Sequence, residues 1–143
     1  TIATNGNINI SDDIVYRDSD ANGPGDDCDD ILGMVSGSSI IIDNNSANQD
    51  DCTIHAHMMA LTDLRADNYH SGSPRGKLSI YGGVVQQFRG PVGTGFVVGD
   101  DIMILTGYEK DYHYDWRLRN MPPPGYLLTG SYSRLAWTDL GSN

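Results

Sequence analysis

The sequence predicts an all-β chain wound as a parallel β-solenoid of about five coils, and three observations predict it. The first is composition. Of 19 acidic residues 18 are Asp, with Glu109 the single Glu, and 17 Gly and six Pro accompany them. Helix interiors favour Ala, Leu, Glu, Lys and Arg and disfavour Asp and Gly. The second is a recurring pattern of apolar pairs spaced two apart: Ile8/Ile10, Ile54/Ala56, Leu78/Ile80 and Ile102/Ile104. Alternation of period two marks a strand with one buried face. Positions 54, 78 and 102 lie 24 apart, and steps of 23 back from Ile54 reach Ile31 and Ile8, an internal repeat. The third is that Cys28 and Cys52 are also 24 apart. One coil of that length would set the first beneath the second, within the Cα separation a disulfide needs.

The elements follow in order. Between the pairs lie Ile14/Tyr16, Ile40/Ile42, Leu61/Leu64 and Val84/Phe88 at looser spacing, and clusters of Gly, Asp, Asn and Ser divide the strands, as turns require. A repeat this short buries its apolar faces only by stacking on its neighbours. The chain therefore reads as one domain, 1–143, with coils over 1–106 and a capping segment over 107–143. In that last segment Tyr108, Tyr112, Tyr114, Trp116 and Trp137 replace the aliphatic pairs. Asp115 and Arg117 are expected to pair there or to bond backbone groups. Pro122-Pro123-Pro124 is expected to stiffen an extended return along the outside. A β-sandwich is the alternative, since it too produces short strands at regular spacing.

Length and charge bound the function. A chain of 143 residues has room for one core. A formal charge of -10, with nine Lys and Arg, speaks against nucleic acid, whose phosphates need clustered cations. No stretch approaches the roughly 18 apolar residues of a membrane helix, and no signal-peptide pattern opens the chain. Thr1 in place of an initiator Met leads us to expect a processed or excised chain. Two cysteines without Cys/His zinc spacing point to an extracytoplasmic disulfide between Cys28 and Cys52, stabilising by about 3.5 kcal/mol through its loop. Two separate buried thiols are the alternative.

An ordered series of segments also carries a family resemblance. It begins with Asp30-Ile31-Leu32-Gly33-Met34-Val35-Ser36, Ile40-Ile41-Ile42 and Ile54-His55-Ala56-His57-Met58-Met59-Ala60. It continues with Gly76-Lys77-Leu78-Ser79-Ile80-Tyr81-Gly82-Gly83, Arg89-Gly90-Pro91-Val92-Gly93 and Thr106-Gly107-Tyr108. It closes with Tyr112-His113-Tyr114-Asp115-Trp116-Arg117 and Pro122-Pro123-Pro124. Over roughly residues 5 to 137 this series resembles the β-helical domains of bacterial type IV minor-pilin-like and related cell-surface proteins. The closing aromatic and proline run is its most specific part. The resemblance implies a right-handed parallel β-helix displayed outside the cell, and it brings no catalytic residues. Such proteins usually begin with a leader and a hydrophobic helix, which this sequence does not show.

The sharpest local signal for a ligand is Asp18-Ser19-Asp20-Ala21-Asn22-Gly23-Pro24-Gly25-Asp26-Asp27-Cys28-Asp29. Calcium takes six to eight oxygens, and a D-x-D-x-N-G loop folds alternating carboxylates about one point. Asp18, Asp20 and Asn22 would supply side-chain oxygens, Pro24 its carbonyl, Asp26 a water-bridged contact and Asp29 the closing carboxylate. Calcium would then pin the long insertion between the first two coils. A solvated acidic turn is the alternative. His55-x-His57 puts two imidazoles on the outward face of one strand, a spacing that metals use and that a pH-sensitive surface contact also fits. His70 and His113 are the remaining imidazoles. The pairs Asp12/Asp13, Asp50/Asp51 and Asp100/Asp101 could suggest acid–base chemistry on glycans, but neighbours on a strand point to opposite faces, and turn roles suit them better.

These observations lead to one expectation and two alternatives. The expectation is a non-enzymatic extracellular module of a bacterial surface appendage, either pilus-associated or a self-assembling filament subunit. Its partners would be neighbouring copies, pilus or filament subunits, and surface or matrix glycans, with no nucleic acid and no membrane span. The alternatives are a calcium-dependent carbohydrate-binding or adhesive module and a glycan-active enzyme.

Overall fold

The computed structural model describes residues 1–20 and 23–126. Its strands, in chain order, are β1 (Ile2–Thr4), β2 (Ile8–Ile10), β3 (Ser19–Asp20), β4 (Gly23–Pro24), β5 (Gly33–Ser36) and β6 (Ile40–Ile42). Then come β7 (Cys52–Ala60), β8 (Leu64–Ala66), β9 (Pro74–Gln86), β10 (Gly93–Val98) and β11 (Asp101–Tyr114). Short 3-10 turns at Ala47–Gln49 and Trp116–Arg119 are the helical elements among the described residues. Among the described residues the large sheet has six strands in the order β1-β5-β7-β9-β11-β10, a second sheet has the order β2-β6-β8, and β3 and β4 form a two-stranded ribbon.

Alternation in the sequence decides which side chains meet. In β7, Cys52, Ile54, Ala56, Met58 and Ala60 point to one face and all are buried. Parallel pairing sets Cys52 against Leu78, Ile54 against Ile80 and Met58 against Val84 on one side, and Met34 against Met58 on the other. The small sheet answers with Ile8, Ile40 and Leu64 in one row and Ile10, Ile42 and Ala66 in the next. The core lies between these rows, and its buried members are at most 4 % exposed. Each large aliphatic buried this way stabilises by about 1.5–3 kcal/mol. Asn48, 1 % exposed, holds the corner after the small sheet, its Nδ2 donating to the carbonyls of Ile10 and Asp43 at 3.0 Å. The Tyr108 hydroxyl closes the same corner by donating to the Asn48 carbonyl at 2.7 Å.

This architecture corrects the expected one. Among the described residues a closed right-handed β-solenoid of about five coils does not form, and neither does a β-sandwich. The large sheet is mixed, ending in the antiparallel pair β10–β11, while the second sheet has three strands. The physical reason lies in the spacing. Met34 and Met58 are 24 residues apart, but Cys52 pairs with Leu78 across 26, and Ile2 with Met34 and Leu78 with Lys110 across 32. The segment carrying β3 and β4 lengthens the first interval and the β10–β11 hairpin lengthens the last. Ile8 and Ile10 consequently belong to the small sheet, and Ile102 and Ile104 face Val97 and Gly95 across the hairpin, with Ile102 68 % exposed.

The proposed cap is also different in detail. Tyr108 enters the core, whereas Tyr112, Tyr114 and Trp116 remain substantially exposed, and Trp137 lies outside the described residues. After β11 the chain returns over the outer face of the large sheet. Asp115 N–H donates to Gly82 carbonyl at 3.0 Å, Tyr126 packs edge-on against His57, and Pro123 reaches Gly33. Pro123 and Tyr126 close a turn there, the Pro123 carbonyl accepting Tyr126 N–H at 3.2 Å. Among the described residues, no helix is long and apolar enough to cross a membrane.

Candidate functional site

The outer face of the large sheet is where chemistry-bearing residues gather. Period-two alternation turns Thr53, His55 and His57 of β7 away from the core, and the register aligns Thr53 with Ser79 and His55 with Tyr81 on β9. The next strand adds Asp111 beside Ser79 and His113 beside Tyr81. Two rows result, one of hydroxyls ending in a carboxylate and one of rings.

Within the ring row, His55 meets Tyr16 and Tyr81 edge-on, at 5.2 and 5.1 Å between centroids, and Tyr81 stacks on His113 at 4.6 Å. In the hydroxyl row, Ser79 Oγ donates to Asp111 Oδ2 at 3.1 Å, and His113 Nε2 lies 3.1 Å from Asp111 Oδ1. The His113 imidazole, with help from the Ser79 hydroxyl, holds the Asp111 carboxyl below its ordinary range.

The two histidines correct a further expectation. They face out of the core, but they are not solvated: His55 is 1 % exposed and His57 is half-buried. Tyr16 covers the first and Tyr126 the second. Burial lowers the proton affinity of both, and for His55 the Arg117 guanidinium adds to the effect. His55 Nδ1 accepts the Tyr16 backbone N–H at 3.2 Å, which leaves the proton of the neutral ring on Nε2. That Nε2 and His57 Nδ1 are buried with no hydrogen-bond partner among the described residues.

The covering segments are tied together by Arg117. Its guanidinium grips Asp115, donates to the Cys28 carbonyl, and lies 5.5 Å from the Tyr16 ring centroid. The expected Asp115–Arg117 pairing is thus formed. The Tyr16 hydroxyl accepts Leu32 N–H at 2.9 Å, fixing the covering loop to the strand region below. Neither Tyr16 nor Tyr126 stood out in the sequence as a site residue, because nothing local marks a tyrosine as the cover of a distant histidine.

Cys28 and Cys52 are buried free thiols, so the expected disulfide is not formed. Cys52 points into the core opposite Leu78, and Cys28 lies before β5, outside the register that would bring it beneath. Burial, with Asp13 and Asp12 nearby, pushes the Cys52 thiol up to about 12.

The acidic segment folds as a ribbon: Ser19 pairs with Pro24 and Asp20 with Gly23 in antiparallel register. Asp18 meets Arg17 at 3.3 Å on the surface, and Asn22 lies outside the described residues. Among the described residues, no group of three or more His, Cys, Asp or Glu is placed to hold a metal ion. His70 packs on Tyr69, and Tyr81 stands between His55 and His113. The paired aspartates take up turn and anchoring roles. Asp13 Oδ1 accepts Thr53 N–H at 2.8 Å and Asp51 Oδ1 accepts Lys77 N–H at 2.7 Å.

Where the Val15–Asp20 segment stands over the hydroxyl row, it leaves a cleft of about 320 Å³. Thr53, His55, Ser79 and Tyr81 line it from the sheet, and Val15, Ser19 and Asp20 from the loop. Compared with known proteins, the chain matches no family model, no curated protein and no solved structure.

Proposed function

We propose that this chain is a non-enzymatic structural and display module of a bacterial surface appendage, working outside the cell and meeting neighbouring copies or other filament subunits through its sheet edges. The observation that carries this reading is the end of the large sheet. The β10–β11 hairpin exposes Phe96, Val97, Val98, Ile102, Met103 and Leu105, each 47 % or more exposed. Tyr108 N–H still donates to the Val92 carbonyl at 2.9 Å, but beyond it β11 pairs with β9 alone among the described residues, so among these the Glu109–Tyr114 stretch offers an open backbone edge. Long edges with apolar side chains are ready to pair with another chain unless something blocks them. At the opposite side of the sheet β1 is likewise an edge strand. The ordered likeness to pilin-like surface proteins supports the setting, and the charge of -10 favours display in solvent over binding to nucleic acid.

The test is negative-stain electron microscopy and light scattering on the chain as isolated, with and without a calcium chelator, beside the variants Val97→Lys and Ile102→Lys. The expected result is concentration-dependent assembly that either lysine suppresses. Fraying on chelation would tie the Asp18, Asp20, Asp26 and Asp29 carboxylates to calcium. A monodisperse particle of one chain at high concentration, unchanged by the lysine variants, would overturn the reading.

A further inference from the structure

We infer that the Val15–Asp20 segment is an acid-released latch over the outer face of the large sheet, held shut by the hydrogen bond from Tyr16 N–H to His55 Nδ1 and opened when that nitrogen takes a proton. This inference is independent of the assembly reading, since it uses the outer face of the sheet and not its edges.

The latch begins where backbone pairing gives way to a side chain. Ile14 bridges to β7 through backbone alone: its N–H donates to the Thr53 carbonyl at 2.9 Å, and its carbonyl accepts His55 N–H at 2.6 Å. Two residues on, Tyr16 N–H meets His55 Nδ1 instead, at 3.2 Å. A backbone carbonyl accepts at any pH, whereas an imidazole nitrogen accepts only while it carries no proton. Once protonated, Nδ1 confronts the Tyr16 N–H donor to donor, and the bond is lost. His55 is 1 % exposed and Tyr16 8 % exposed, so water reaches the charged ring only when Tyr16 moves away.

The groups around the ring favour release over keeping the charge inside. From the covering loop come the Tyr16 ring and Asp13, and Asp20 lines the cleft on that side. From β9 comes the Tyr81 ring, with His113 stacked beyond it. The chain's return adds Arg117 and Asp115. Burial lowers the proton affinity of His55 and Arg117 adds to it, while Asp115 and Asp13 oppose. Those two carboxylates are already engaged, Asp115 by Arg117 and Asp13 by Thr53 N–H.

Release of Tyr16 reaches further than one bond. Its hydroxyl accepts Leu32 N–H at 2.9 Å, just ahead of β5, so that amide is freed with it. Thr53, His55, Ser79 and Tyr81, which line the cleft beneath the segment, are then uncovered together. The Ile14 bridge, made of backbone groups, remains as the hinge. His57 is not part of the latch, since it lies under Tyr126. Linkage sets the size of the effect. Once released, His55 titrates near its ordinary value of about 6.5, above its value in the closed state. Between about pH 7.5 and about pH 5.5 the open population therefore rises several-fold, to a limit of about tenfold.

The experiment follows amide hydrogen exchange by NMR on the whole chain at these two pH values, as protection factors that remove the intrinsic pH dependence of exchange. The expected result is that Tyr16 and Leu32 lose protection together on acidification, by several-fold up to about tenfold. At both pH values they should be less protected than the slowest amides of β7 and β9. Low urea should leave their exchange nearly unchanged, because a local opening exposes little surface. His55→Asn places a non-titrating oxygen acceptor where Nδ1 stands, and it should abolish the acid response at Tyr16. His57→Leu should leave that response intact. Protection at Tyr16 that does not fall with acid would overturn the inference. So would protection and urea sensitivity equal to those of the slowest β7 and β9 amides, which mark global unfolding. An acid response that survives His55→Asn, or disappears in His57→Leu, would overturn it as well.

Discussion

Arg117 and Asp115 form a bidentate ion pair buried beneath the chain's return over the large sheet: Nε donates to Oδ1 at 3.0 Å and Nη2 to Oδ2 at 2.7 Å, with the two side chains 4 % and 3 % exposed. Asp115 Oδ1 also accepts the Arg117 backbone N–H at 3.0 Å, starting the short 3-10 turn there. A buried pair contributes less than its geometry suggests, because both ions are desolvated, but removing one member leaves an unbalanced charge. Asp115→Asn or Arg117→Met should therefore each destabilise by about 3–5 kcal/mol, read from urea denaturation. The double change Asp115→Leu with Arg117→Met should recover much of the loss. Equal stability of the single and native chains would show that this pair does not secure the return.

Acid should weaken the fold through the two covered histidines. Burial lowers the native proton affinity of His55 and His57 below the ordinary 6.5. At pH below about 6.5 the unfolded chain takes up protons that the native chain declines, so stability is full above that pH and falls as pH drops toward the lowered native values. Asp13 and Asp115 oppose the shift at His55 and Arg117 reinforces it. Urea midpoints should therefore fall between about pH 7.5 and about pH 5.5, and His57→Leu should flatten the slope. A midpoint unchanged across this interval in the native chain would contradict the assignment.

Gly82 tests the close approach of β7 and β9. A Cβ at this position would overlap the Ala56 carbonyl oxygen on the adjacent strand. The contact is with backbone, which cannot swing aside as a side chain could. Gly82→Ala should accordingly cost about 1–3 kcal/mol or more through overpacking and lower the melting temperature. Gly25→Ala, where nothing lies within 4 Å of the added carbon, is the control and should leave the melting temperature nearly unchanged.

Thiol chemistry distinguishes the observed cysteines from the expected disulfide. Cys28 and Cys52 are both buried and free, and the Cys52 thiol is pushed up to about 12. Iodoacetamide near neutral pH should therefore leave Cys52 unmodified in the native chain, since the thiolate is the nucleophile. In denaturant without reductant, mass spectrometry should find both cysteines alkylated. Alkylation that needs a reductant would show a disulfide instead.

The core strands were legible where the chain alternates and the spacing is short. Ile54, Ala56 and Met58 alternate within β7, and Ile40 and Ile42 flank one outward residue in β6. The same period-two signal misled at Ile102 and Ile104, because an exposed antiparallel hairpin and a buried parallel strand present the same local pattern. The register also slipped by two residues, since Ile54 meets Ile80 and not Leu78. Insertions alter the interval without altering the alternation that reveals each strand.

The outer-face site was less legible still. His55 and His57 are adjacent on one face by backbone geometry alone, and that much was visible. Their burial depends on Tyr16, 39 residues before His55, and on Tyr126, 69 residues after His57. The cleft likewise needs the Val15–Asp20 segment to stand over Thr53 and Ser79.

By itself the sequence determined that the chain is strand-rich, acidic and turn-bounded, because alternation, charge and turn chemistry act between near neighbours. Only the tertiary structure decided which strands pair, that the two cysteines stay apart, and that the outward histidines are covered. Those outcomes depend on the lengths of the intervening loops and on contacts between residues far apart in the chain. Local propensity carries no record of such contacts; they arise when the whole set of apolar faces is buried together.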